Sequence, residues 1–168
     1  MCFGSFSARP MSARSTASVR AAMLLVLTLS GALAAGCGGV KMATLINGNS
    51  TQCLNFPAEG NPIIGTPVRI HQCDPFKNQQ WNLADNQISD SGSICLTVKG
   101  DSTADGTPVV YAPCRGLPAQ HWTEDANGHI VGLGGKCLDV EGGDAVNWAP
   151  LIIATCTGAP TQTWRVQR

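Results

Sequence analysis

Three tripeptides, Gln79-Gln80-Trp81, Gln120-His121-Trp122 and Gln162-Thr163-Trp164, set their tryptophans 41 and 42 residues apart. Each follows a cysteine pair: Cys53 and Cys73, Cys95 and Cys114, Cys137 and Cys156. The first cysteines recur at intervals of 42 and 42, so three markers share one order and one period. A chain written this way is a threefold internal repeat, with units at 44–85, 86–126 and 127–168. A unit of this length is one supersecondary element, and it buries a core only by packing on its neighbours.

Within each unit a Cys-Leu opens a strand: Cys53-Leu54, Cys95-Leu96 and Cys137-Leu138. A turn-rich loop follows. Gly65-Thr66-Pro67-Val68 and Gly106-Thr107-Pro108-Val109 then begin a second strand that runs to the second cysteine. The third unit has Trp148-Ala149-Pro150-Leu151 there, so a tryptophan stands where the others have a turn glycine. Short runs bounded by Gly, Pro, Asn and Asp predict an all-β fold. Paired cysteines lie 19 to 20 residues apart, whereas zinc ligands favour spacings of about two to four. Disulfides are expected instead, and the repeat selects one local bridge per unit: Cys53–Cys73, Cys95–Cys114 and Cys137–Cys156. The repeated tryptophans could be platforms for a sugar. A residue that recurs once per unit reads better as shared core, with the glutamines satisfying backbone groups of a turn.

The N-terminus has a different character. Ala21 to Ala35 is almost continuously apolar, preceded by Arg9, Arg14 and Arg20 and closed by small residues. That is the pattern of a signal peptide over 1–36, and the run is short of the roughly 20 residues a transmembrane span needs. Met11 offers a later start that would remove Cys2. Ala34-Ala35-Gly36-Cys37 resembles a bacterial lipobox, with Ala34 where leucine is usual. The resemblance implies cleavage before Cys37 and lipidation of its thiol, with 37–43 as a tether. Cysteine parity agrees, since six cysteines pair inside the repeats and leave Cys37 over. The expected location is the bacterial cell envelope, lipid-anchored. Plain secretion, after cleavage at Ala32-Leu33-Ala34, is the alternative. Past residue 36 there are eight basic and eleven acidic residues, a net of −3. That balance argues against nucleic acid as a partner.

Cys-Leu-x-Val, Gly-Thr-x-Val, Cys and Asn-Gln-x-Trp at this spacing resemble the ricin-B-type lectin domain, across about Thr44 to Arg168. The resemblance implies a β-trefoil of three four-stranded units around a pseudo-threefold axis, binding carbohydrate as a monomer at up to three equivalent sites. Each site has an acid two residues after the first cysteine, an aromatic two before the second, and the Asn and Gln of Asn-Gln-x-Trp. A carboxylate and an amide hydrogen-bond sugar hydroxyls, and an aromatic face packs on the sugar's C–H face. The positions hold Asn55, His71, Asn78 and Gln79 in the first unit, and Thr97, Ala112, Ala119 and Gln120 in the second. In the third they hold Asp139, Ala154, Thr161 and Gln162. The first unit is the best candidate site and the second has nothing left to grip a sugar. The third keeps its acid without a platform, and Asp139 is open to bonding its own loop. Trp148 has two readings: an exposed platform lent to the third site, or packing against a neighbouring repeat or the tether.

No Gly-x-Ser-x-Gly motif and no spaced carboxylate pair points to catalysis, and no metal or cofactor is expected. Two classes of function remain: a carbohydrate-binding protein working through the first unit, or a structural or protein-interaction trefoil that has lost its sugar.

Overall fold

The computed structural model describes residues 42–48, 50–56, 64–74, 77–90 and 93–168, all within the unit Cys37–Arg168. The segment 1–36 expected as a signal peptide, Cys37 and the expected tether up to residue 41 lie outside the described residues.

Each repeat contributes four strands. The first holds β1 (Met42–Asn47), β2 (Gln52–Asn55), β3 (Arg69–Gln72) and β4 (Trp81–Ala84). The second holds β5 (Gln87–Ser89), β6 (Ile94–Val98), β7 (Thr107–Pro113) and β8 (Thr123–Glu124). The third holds β9 (Ile130–Val131), β10 (Cys137–Val140), β11 (Leu151–Ala154) and β12 (Trp164–Gln167). The other helical elements are 3-10 turns of three residues, one of them ahead of each repeated tryptophan.

The outer strands of the units curl together. β1 pairs with β4 and β12, β4 with β5, and β8 with β9. Backbone bonds close the two remaining seams, from Trp122 N–H to the Asn86 carbonyl and from Trp164 N–H to the Gly128 carbonyl, both 2.7 Å. The inner strands form three hairpins, β2–β3, β6–β7 and β10–β11. Each hairpin leans on the next: Pro67 bridges Val110, Pro108 pairs with Ile152, and Arg69 bridges Pro150. All contacts are antiparallel and follow one threefold scheme, which is a β-trefoil.

The core repeats with the same symmetry. Leu54, Leu96 and Leu138 are fully buried, as are Val68, Val109 and Leu151. Trp81, Trp122 and Trp164 are buried too, and each indole N–H donates to the carbonyl of its own unit's core leucine. Those bonds measure 2.9, 3.0 and 3.0 Å. A buried tryptophan removes some 150–250 Å² of surface from water and needs a partner for its N–H, and the hairpin carbonyl supplies one. Gly132 makes room for the second of these rings, since a Cβ there would lie 2.4 Å from Trp122. The bridges Cys53–Cys73, Cys95–Cys114 and Cys137–Cys156 are all formed within units. Closing loops of this size contributes about 3 kcal/mol each in the chain-entropy model.

One backbone position breaks the chemistry of the pattern while keeping its geometry. Gly65, Gly106 and Trp148 precede the three equivalent second strands, with φ of 88°, 82° and 67°. Each donates its N–H to the carbonyl of the neighbouring unit, at Tyr111, Ile153 and Ile70 respectively. Left-handed backbone costs a side-chain-bearing residue about 1–2 kcal/mol and glycine almost nothing. Trp148 therefore holds a conformation its two counterparts adopt freely.

Candidate functional site

The hairpins set the site positions. Cys53 faces His71 across β2–β3, Cys95 faces Ala112 and Cys137 faces Ala154. The residue two places after each first cysteine, Asn55, Thr97 or Asp139, lies on the same strand face and opposite Arg69, Val110 or Ile152.

The glutamines do one job in all three units. Gln79, Gln120 and Gln162 are buried, and each side-chain oxygen accepts a backbone N–H just past the second cysteine: Asp74, Arg115 or Thr157. Each Nε2 donates to the carbonyl just before that cysteine, at Gln72, Pro113 or Thr155. Its other N–H goes to Asn55 Oδ1, Thr97 Oγ1 or Asp139 Oδ2, at 3.2, 3.0 and 2.9 Å. Both amide hydrogens are thus engaged. Gln79 and Gln162 therefore have no amide hydrogen free for a ligand.

In the first unit Asn55 is 3% exposed. Its Oδ1 accepts from Asn78 Nδ2 (3.1 Å) as well as Gln79, and its Nδ2 donates to the Phe56 carbonyl (3.1 Å). Its own carbonyl accepts the Tyr111 hydroxyl from the second repeat. Burial pushes the Tyr111 phenol well above its usual range, so it stays a donor. Phe56 packs edge-on against Trp81 and Tyr111, at ring separations of 5.9 and 5.4 Å. Asn78 places both amide hydrogens, on Asn55 and on the Phe56 carbonyl. Its Oδ1 is left without a partner among the described residues.

His71 stands in front of this network with 29% of its side chain exposed. Its Nδ1 lies 3.1 Å from the Gln72 carbonyl and 4.0 Å from Asp74 Oδ2. A carbonyl only accepts, so in the neutral ring Nδ1 carries the proton and Nε2 presents a lone pair. Against the ring lies Trp148, with centroids 4.6 Å apart and planes at 50°. Trp148 is 53% exposed. Its carbonyl accepts from the Arg69 guanidinium at 2.5 Å, and Asn147 Oδ1 accepts the Gln72 N–H at 2.6 Å. Trp148 is exposed, and it packs against a neighbouring repeat, the first. The reason is the hairpin scheme, which leans the β10–β11 loop on β3.

The other two units are plainer. Thr97 is held by Gln120 beside Ala112 and the buried Ala119. Asp139 accepts its neighbour's N–H, Val140, at 2.7 Å and the Gln162 amide at 2.9 Å, beside Ala154 and the buried Thr161. A cavity of about 680 Å³ lies elsewhere, lined by Leu83, Ile88, Trp122, Ile130 and Val166 among others. No group of three or more His, Cys, Asp or Glu side chains among the described residues is arranged to hold a metal.

Comparison with known proteins agrees with the geometry. A family model described as the ricin-type β-trefoil lectin domain matches residues 41–167. No curated protein matches by sequence. Among solved structures, a designed threefold-symmetric protein, ThreeFoil, superposes with a TM-score of 0.66 at 25% identity, covering 76% of this chain and 98% of that one. The agglutinin from Abrus precatorius gives 0.66 at 24% identity, covering 76% of this chain. The haemolytic lectin CEL-III gives 0.59 at 24%, covering 77%. This chain spans about half (48%) of the agglutinin chain and about a third (32%) of CEL-III. Four strands per repeat, one bridge per repeat and a family match over three quarters of the sequence lead to one assignment. The chain belongs to the ricin-type β-trefoil lectin domain family, whose members are typically carbohydrate-binding modules without enzymatic activity of their own.

Proposed function

We propose that the protein is an exported carbohydrate-binding lectin whose working site is the first repeat, built on Asn55, His71, Asn78 and Gln79. One observation carries the reading: His71, a ring that can stack and hydrogen-bond, stands partly exposed at the platform position, where the other two repeats have alanine. Its Nδ1 donates to the Gln72 carbonyl, which leaves Nε2 an acceptor in the neutral ring, suited to a sugar hydroxyl donor. Asn55 and Gln79 are buried and shape the site from beneath. Asp139 and Gln162 form the corresponding pair in the third repeat, with Ala154 leaving no ring beside them.

The test is a glycan array probed with the parent, His71→Ala and Asn78→Ala. Alanine stands at both positions in the second repeat, at Ala112 and Ala119, so the scaffold accommodates it. Loss of binding is expected from both variants, with the melting temperature unchanged for His71→Ala and lowered for Asn78→Ala, which also loses its bonds to Asn55 and Phe56. Equal binding by parent and variants sinks the proposal. The second reading, a trefoil retained for structure or protein contacts, draws on the engagement of Asn55 and Gln79 inside the fold. An empty array for the parent, with a protein recovered in pull-downs, favours it.

Export and anchoring form a separate part of the proposal. The apolar run Ala21 to Ala35 and the lipobox-like Ala34-Ala35-Gly36-Cys37 support a lipid anchor on Cys37 in a bacterial cell envelope. The mass of the mature protein should show an acylated Cys37. A free N-terminus at Ala35 would replace anchoring by secretion.

A further inference from the structure

We propose that Trp148, from the third repeat, supplies the stacking face of the first repeat's site, so that the ligand lies across the seam between repeats three and one. The inference rests on the first-repeat reading and adds a residue that the threefold pattern does not assign to any site. Four observations meet at this point.

First, the platform position of the first repeat holds an imidazole, which offers a sugar little surface. The indole beside it is larger and more open, at 53% exposure. It lies against His71, with centroids 4.6 Å apart and planes at 50°. Second, the position is built. The Trp148 N–H donates to the Ile70 carbonyl, its carbonyl takes the Arg69 guanidinium, and Asn147 caps Gln72. These bonds tie the loop to β3, the strand that carries His71. Third, the residue sits at φ 67°, where its counterparts are Gly65 and Gly106. A bulky side chain kept in left-handed backbone is an outlier that points to use. Fourth, Arg69 and His71 replace Val110 and Ala112 of the second repeat and Ile152 and Ala154 of the third. The departures from symmetry on β3 therefore lie under the departure in the loop.

The chemistry selects a class of ligand. A half-exposed indole beside a hydrogen-bonding imidazole takes a pyranose with an unbroken axial C–H face, whose hydroxyls reach His71 Nε2.

The test uses the full mature protein and four disaccharides: lactose, cellobiose, xylobiose and chitobiose. Binding is followed by calorimetry and by tryptophan emission. Trp81, Trp122 and Trp164 are buried, so a ligand-induced blue shift reports on Trp148. Trp148→Gly restores the residue found in the other repeats and leaves the fold intact. It should weaken the best-bound disaccharide at least tenfold and abolish the shift. Trp148→Phe should keep affinity within about fivefold, since a smaller ring still stacks. Trp148→Gly binding within twofold of the parent, while His71→Ala and Asn78→Ala do not bind, overturns this inference and leaves the first-repeat reading standing. Binding lost in Trp148→Gly but kept in both other variants overturns the first-repeat reading and this inference with it. A parent that binds none of the four overturns the inference as well.

Discussion

The glutamine of each Gln-x-Trp can be tested apart from any ligand, because the second repeat has the glutamine without the site. Gln120 makes three bonds: it accepts the Arg115 N–H at 2.7 Å and donates to Thr97 Oγ1 at 3.0 Å and to the Pro113 carbonyl at 2.9 Å. Gln120→Met keeps the length and straightness of the side chain and removes all three. Each bond is worth about 0.5–1.5 kcal/mol net, which sums to about 2–4 kcal/mol. Two effects pull the figure down. A buried thioether is favourable where an amide is not, and water can reach Arg115 and Pro113, both of which are exposed. A loss of about 1–3 kcal/mol remains. For a domain of this size that lowers the melting temperature by about 5–12 °C. Scanning calorimetry at neutral pH with disulfides intact measures it. The same change at Gln79 should cost similar stability and also weaken sugar binding, since it releases Asn55. A Gln120→Met protein melting within about 2 °C of the parent would refute the argument that these glutamines clamp the hairpin ends.

Three more outcomes follow from the geometry. Gly132→Ala forces a Cβ to within 2.4 Å of the Trp122 ring, and should cost about 1–3 kcal/mol as overpacking, read by urea unfolding. Acid should destabilise the fold below about pH 4. The carboxyls of Asp105, held by Lys136 and Thr155, and of Asp125, held by the His129 N–H, lie below their ordinary value of 3.8. A depressed folded pKa gives stability that is present above the unfolded value and lost as pH falls through the folded one. Asp125→Asn should therefore flatten the decline in melting temperature between pH 5 and about pH 2.5, and an unchanged slope would contradict it. Finally, Trp148→Gly should change stability by less than about 1 kcal/mol, because relief of left-handed strain offsets the lost packing and the added freedom of the unfolded chain. A loss above about 2 kcal/mol in the same urea series would show that Trp148 is retained for packing.

The fold was legible in the sequence because trefoil symmetry writes each structural requirement three times. Cys95 and Cys114 alone admit many partners, but two further pairs at the same spacing leave one consistent scheme, and that scheme is the one formed. Trp81, Trp122 and Trp164 read as core for the same reason, although nothing in the spacing announced that each indole N–H would find a leucine carbonyl on its own hairpin. Long-range contacts that occur once were hidden. Periodicity aligns Tyr111 with Ile70 and Ile153, all three buried, yet it is silent on a hydroxyl that crosses to the Asn55 carbonyl. It likewise marks Trp148 as the exception to a glycine rule without saying which repeat lies beneath.

A signal for the site was nevertheless present, in the exceptions taken together. Selection for folding acts alike on equivalent positions of a symmetric scaffold, so residues that satisfy only the fold tend to be of one kind across the units, with exceptions such as Tyr111 against Ile70 and Ile153. Arg69 against Val110 and Ile152, His71 against Ala112 and Ala154, Asn78 against Ala119 and Thr161, and Trp148 against Gly65 and Gly106 do not agree. Their sequence numbers span two repeats; Arg69, His71 and Trp148 meet at one seam, and Asn78 bonds Asn55, which pairs with Arg69 across the hairpin. Scattered exceptions would be drift, since surface substitutions are individually near neutral. Exceptions that converge, one of them in a conformation costing about 1–2 kcal/mol, need a common cause that the scaffold does not supply. The proposed ligand, gripped once at the seam of repeats one and three, would be such a cause.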